Sequence, residues 1–145
     1  MLFDGEDIVE AHVLDLKTRI ETIGEATGKT VYAYDQEEFL DKAKILQFPA
    51  VGIFYAGLNI IGDKRSESGE LLFDLVIADD TISGCGKGSD TTGATTLLSL
   101  IRQVLNEVVI STEKHWSFKS EASFDLGEKT KIGYLQRWSA VVTKM

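Results

Sequence analysis

Between Gly5 and Ile23, Ile8, Val9, His12, Val13, Leu16, Ile20 and Ile23 fall within one arc of roughly 140° at about 100° per residue, which predicts an amphipathic helix. Gly24 and Gly28 are expected to break it. The β-branched and aromatic run TVYAY, residues 30–34, then predicts a short strand. Asp35 followed by Glu38 has capping-box spacing and predicts a second helix, with Phe39, Leu40, Ala43 and Leu46 as its apolar stripe. Pro49, the only proline, closes that segment and admits the next strand at its start, where a missing N–H matters least.

Residues 50–57 (AVGIFYAG) and 70–79 (ELLFDLVIAD) are apolar on nearly both faces, so they belong in a sheet interior. The stretch between them, residues 58–70 with adjacent Lys64 and Arg65, reads as a hairpin loop. A second loop over 80–93 precedes a helix from Ala94 to Val108. There Leu97, Leu98, Leu100, Ile101, Val104, Leu105 and Val108 cover about half the surface, wider than one sheet face requires. Its flank is therefore expected to meet a neighbour. In residues 116–126, Trp116, Phe118, Ala122, Phe124 and Leu126 alternate with Ser117, Lys119, Glu121, Ser123 and Asp125, the pattern of a strand with one wet face. The turn GEKT leads to a partner strand with Tyr134 and Trp138 on one side and Leu135, Arg137 and Val141 on the other. The order is αβαββαββ: a mostly antiparallel sheet of about five strands with helices laid on it, α+β class, in one domain over 1–145.

Composition narrows the chemistry. A chain of 145 residues, 43% apolar, can bury its own core. Its single cysteine, Cys85, permits no internal bridge, consistent with a reducing compartment. The start lacks a basic leader and an apolar run, and no stretch nears the roughly 20 apolar residues that span a bilayer. A soluble protein made in cytoplasm, without a membrane partner, is expected. Net charge −8 opposes gripping nucleic acid by phosphate neutralisation.

Several stretches imitate catalytic or binding motifs. GEATGKT, residues 24–30, ends like a phosphate loop. Yet only three residues separate Gly24 from Gly28-Lys29, Ile23 stands where the first glycine belongs, and a helix arrives where a strand should. GCGKGS, in the second loop, has the strand-to-helix setting, but Gly88 replaces the Mg²⁺-binding hydroxyl and Thr81 the first glycine. That glycine-rich segment reads as a surface loop. Asp79 and Asp80 suit a turn better than a cation site. His12 is expected as a hydrogen-bonded core histidine, and His115 has no second ligand at metal spacing. Cys85, Ser83 and Ser89 lack a paired base, so no catalytic residue, cofactor or metal is assigned.

The order and texture of LQFPAVGIFYAG, LLFDLVIADD, GATTLLSLIRQVLNEV and LGEKTKIGYLQRWSAVVTKM resemble the tail-terminator proteins of tailed bacteriophages, most closely the Mu-like branch. The similarity covers nearly the whole chain. The departures are the long glycine-rich loop from Thr81 to Gly93 and the extended hairpin around Gly127. The resemblance implies a non-enzymatic virion protein, assembled in host cytoplasm, that forms a homohexameric ring. Such a ring caps the tail tube protein and meets the head-tail connector, with DNA only passing through the lumen. A head-to-tail ring needs two different patches on each subunit. The candidates are the loop around Lys64 and Arg65 and the helix carrying Leu98, Leu100 and Arg102, with Glu121 and Asp125 as lumen-facing acids.

Three other classes fit the same residues: another phage head or tail completion protein, a small adaptor that binds a peptide along a sheet edge, and a nucleotide-dependent enzyme using residues 84–90.

Overall fold

The computed structural model describes residues 8–28, 30–41, 50–61, 68–79, 93–107, 116–123 and 132–143. Among these residues three helices, α1 (Ile8–Thr27), α2 (Gln36–Asp41) and α3 (Ala94–Glu107), accompany five strands. These are β1 (Tyr32–Asp35), β2 (Ala50–Ile61), β3 (Ser68–Asp79), β4 (Trp116–Ser123) and β5 (Ile132–Thr143). They form one sheet in the order β1-β2-β3-β5-β4, antiparallel except for the short β1–β2 pair. The class is α+β and the element order is the one the sequence predicts.

The arc of α1 packs as the periodicity demands. Leu16, Ile20 and Ile23 are fully buried, and Ile8, Val9 and Val13 pack at the margin of the same core. Gly24 does not break the helix, which runs on to Thr27. The stop is Gly28, whose φ of 72° is costly for residues with a Cβ and whose N–H donates to the Gly24 carbonyl at 2.9 Å. One interior glycine costs about 1 kcal/mol of propensity, less than the burial of Ile20 and Ile23 just before it supplies. Asp35 and Glu38 form the expected capping box: the Glu38 N–H donates to Asp35 Oδ1 at 2.8 Å, and the Asp35 N–H reaches Glu38 Oε1 at 3.3 Å.

α1 and α3 lie on one face of the sheet, over Val51, Ile53, Leu71, Phe73, Leu75, Ile77 and Trp138. α2 lies on the other face. Gly52 alternates with Val51 and Ile53 and therefore turns toward that second face, where the Phe39 ring sits directly on it. Phe39 also meets Phe54 edge-on at 5.6 Å. Of the expected α2 stripe, Phe39 is buried but Leu40 is exposed, because only one side of this short helix can reach the Gly52 notch. Ala43 and Leu46 lie outside the described residues.

Residues 58–61 and 68–70, expected in a loop, are instead paired strand: Leu58 opposes Leu71 and Ile61 opposes Ser68. Gly57, at φ 133°, carries β2 through a bulge after Tyr55 instead of ending it. β3 is interior, flanked by β2 and β5, in agreement with its two-sided apolar pattern, whereas among the described residues β2 is flanked on both sides only from Ala50 to Ile53.

Candidate functional site

Polar side chains that the sequence singles out for chemistry close joints of the fold. Asp79, fully buried at the end of β3, accepts a 2.8 Å hydrogen bond from the Gly93 N–H at the start of α3. It thereby ties the end of β3 to the start of α3 and places a carboxylate at the positive end of the helix. His12 is buried, its Nδ1 lies 2.7 Å from the Ile8 carbonyl, and its ring stacks on Phe73 and meets Trp116 edge-on. Among the described residues, no group of three or more His, Cys, Asp or Glu side chains is arranged to hold a metal ion. Asp80, Ser83, Cys85, Ser89 and His115 lie outside those residues, as do Lys29 and the glycine-rich loop.

Two polar clusters went unforeseen. Asp15 Oδ2 accepts from Arg19 Nε at 2.7 Å and from the Trp116 indole N–H at 2.9 Å, joining α1 to the far edge of the sheet. Arg19 is almost fully buried, and its Nη2 has no hydrogen-bond partner among the described residues. The i,i+4 spacing of Asp15 and Arg19 reads in sequence as a solvated helix pair. In the fold Trp116, 101 residues later, adds its indole N–H to the same carboxylate oxygen. In the second cluster, the side-chain amide of Gln136 donates to the Leu98 carbonyl at 3.0 Å and to Glu121 Oε1 at 2.8 Å, and its oxygen accepts from Trp138 Nε1 at 2.9 Å.

Glu121 belongs to that cluster because of a bulge. Phe118 opposes Trp138 and Ser120 opposes Arg137, so Lys119 is an extra residue in β4. Beyond it the side-chain parity reverses, and Glu121 opposes Gln136 on the helix-bearing face. There it forms an ion pair with Arg102 of α3. Strict alternation had set Glu121 with Lys119 on the wet face. Lys119 does lie on the opposite face, where its ammonium meets Glu70 at 2.9 Å. The structure thus joins Arg102, expected at a subunit patch, to Glu121, expected at a lumen.

The broad apolar surface of α3 is also explained within the chain, since α3 packs against α1 as well as β3, β4 and β5. Leu98 is 3% exposed and belongs to the core, and Leu100 packs partly buried against it. Leu98 is therefore withdrawn from any surface patch. Lys64, Arg65 and Asp125 lie outside the described residues.

Two surface features remain. One is a cleft of about 330 Å³ between the first turns of α1 and the β1–α2 junction, floored by Val9, Val13, Ile53 and Tyr55 and rimmed by Glu10, Asp35 and Glu37. An acidic rim above an apolar floor suits the head and stem of a basic side chain. Nearby, Lys17 bonds to Glu38 at 2.9 Å, which raises the lysine pKa and lowers the carboxyl pKa, with the Asp35 backbone bond lowering the latter further.

The other feature is the outer edge of β2. β1 pairs with it only as far as Ile53, so among the described residues Phe54 to Ile61 lack a neighbouring strand on that side. This stretch, FYAGLNII, is uncharged, and Tyr55, Leu58 and Ile60 are exposed, Ile60 by 67%.

No family model and no curated protein matches the sequence. Solved structures do give matches. One, described as a structure without transmembrane region from Akkermansia muciniphila, is 8% identical with a TM-score of 0.37, over 94% of this chain and 86% of that one. At that level it bears on neither family nor function. Among the described residues, no helix is long and apolar enough to cross a membrane.

Proposed function

We propose that this chain is a structural subunit of a phage tail, forming a ring, hexameric by the resemblance, that terminates the tail tube and meets the head connector. Supporting this reading above all is the uncharged stretch of β2 that, among the described residues, has no strand beside it. Edge strands of proteins that stay apart usually carry charge, proline or a cover. Here about 27 Å of strand, eight residues at about 3.4 Å each, shows exposed Tyr55, Leu58 and Ile60. Such a surface favours protein association. The particular assembly rests on the order and texture of the sequence, which resemble the tail-terminator family, and the acidic body, which would let DNA pass without replacing its counterions.

Mass measurement in solution by sedimentation, followed by negative-stain imaging, tests the reading. Six-fold rings are expected. A protein that stays monomeric at micromolar concentration and neither caps nor binds tail tubes would remove it. The open edge also favours a second reading, an adaptor that takes a peptide as an added strand. That adaptor would remain monomeric and bind extended peptides.

A further inference from the structure

We infer that the open edge of β2 docks against the outer edge of β4 in a second copy of this chain, so that the sheet continues from subunit to subunit. The inference rests on reading the chain as a self-assembling subunit and names the contact that would assemble it.

Besides the outer side of the four-residue β1, the sheet has two open edges among the described residues, the Phe54–Ile61 half of β2 and the whole of β4. Both are eight residues long, and each carries one bulge, after Tyr55 in β2 and after Phe118 in β4. An unpaired edge presents alternating N–H and C=O groups whose natural complement is another strand. Topology fixes the polarity. β2 is antiparallel to β3, β3 to β5 and β5 to β4, so β2 and β4 run in opposite directions. A sheet continued with its helices on the same face therefore sets β4 of one copy antiparallel to β2 of the next, the more stable pairing.

Side chains agree with that placement. Leu58 and Ile60 of β2 and Phe118 of β4 all lie on the helix-bearing face and are exposed. A register that sets Phe118 opposite Ile60 brings these apolar groups to cross-strand distance. A two-fold contact of β2 with itself would also be antiparallel, but it leaves both β4 edges open. A single kind of contact satisfies both of these edges only when it is head-to-tail, the type that builds a ring or a filament.

Cysteine cross-linking tests this on the full chain carrying Cys85→Ser. Asn59→Cys and Ser120→Cys are placed on separate copies, the copies are mixed at micromolar concentration, and a short thiol cross-linker is added. A covalent dimer is expected from the mixture and not from either variant alone. In a parallel measurement, Leu58→Lys/Ile60→Lys should weaken self-association by about tenfold or more, with thermal unfolding close to that of the parent because both side chains are exposed.

Cross-linking of Asn59→Cys with itself as efficiently as in the mixture would overturn the inference in favour of a two-fold contact. So would a monomeric chain with no mixed product, or a monomer that instead binds an extended peptide. Six-fold rings lacking the mixed cross-link would leave the tail-terminator reading standing and remove this contact. A mixed cross-link in open linear assemblies would do the reverse.

Discussion

Replacing Gly52 with alanine tests how α2 is held on the sheet. A methyl at this position would lie 2.5 Å from Cδ2, 2.7 Å from Cγ and 3.0 Å from Cε2 of Phe39. The favourable carbon–carbon separation is roughly 3.5–4.0 Å, so the ring must retreat by about 1 Å. Retreat disturbs the edge-on contact of Phe39 with Phe54, which is worth about 0.5–1.5 kcal/mol beyond area. Overpacking of this kind costs about 1–3 kcal/mol. Against it stands the gain from reducing unfolded-chain freedom, about 0.4–1 kcal/mol where the backbone tolerates alanine.

The net expectation for Gly52→Ala is a loss of about 1–2 kcal/mol, or a melting temperature lower by roughly 2–8 °C for a chain near this size. In a Phe39→Leu background the obstructing ring is gone, so the same substitution should be neutral or stabilising. Urea and thermal unfolding of the four proteins form a double-mutant cycle, with an expected coupling of about 1–3 kcal/mol. If Gly52→Ala stabilised the parent, or if the two substitutions were additive, the packing of Phe39 into the glycine notch would be refuted.

Asp79→Ala removes the acceptor of the buried Gly93 N–H and should cost about 1–3 kcal/mol in chemical denaturation; a loss below about 0.5 kcal/mol would contradict the joint. Asp15→Ala strips Arg19 and the Trp116 indole of their shared acceptor. The expected cost is about 3 kcal/mol, the lower end for a broken buried pair because Asp15 is partly exposed, and Asp15→Ala/Arg19→Met should recover part of it. In the folded protein the Glu70 pKa is lowered, first by its hydrogen bond to Lys119, and that of Glu38 is lowered, first by its bond to Lys17. A lowered folded pKa gives stability that is present above the ordinary carboxylate value of about 4.3 and lost as pH falls through the folded value. Acid titration of stability should therefore show a smaller loss below about pH 4 in Glu70→Gln/Glu38→Gln than in the parent; an identical acid limb would remove the two pairs from the balance. Lys64→Glu with Arg65→Glu should weaken assembly in sedimentation while thermal unfolding stays almost unchanged, and intact assembly would discard that patch.

Much of the fold was legible because it is written in local period and local chemistry. The arc from Ile8 to Ile23, the Asp35–Glu38 cap and the two-sided apolar runs of β2 and β3 each depend on neighbours within a few residues. The rejection of GEATGKT as a phosphate loop followed from the same information, since Gly28 stands at a helix C-terminus with a strand to follow. The exposed edge of β2 was harder to see. The residues from Leu58 to Ile61 looked like loop because an Asn and nearby glycines dilute their strand character, whereas pairing with β3 holds them extended. That they have no outer partner among the described residues depends on how far β1 reaches, which no pattern within β2 records.

Local pattern was enough to set the α+β class, the order of elements and the inward faces of α1 and α3, because side-chain period and turn residues act over short separations. Long-range packing alone turns Glu121 to the helix-bearing face, commits Leu98 to the core, and brings the Trp116 indole to the carboxylate that Asp15 shares with Arg19. Each of those outcomes depends on a register shift or a contact between segments distant in the chain. One extra residue reverses a strand's faces, and burial belongs to whatever arrives from elsewhere.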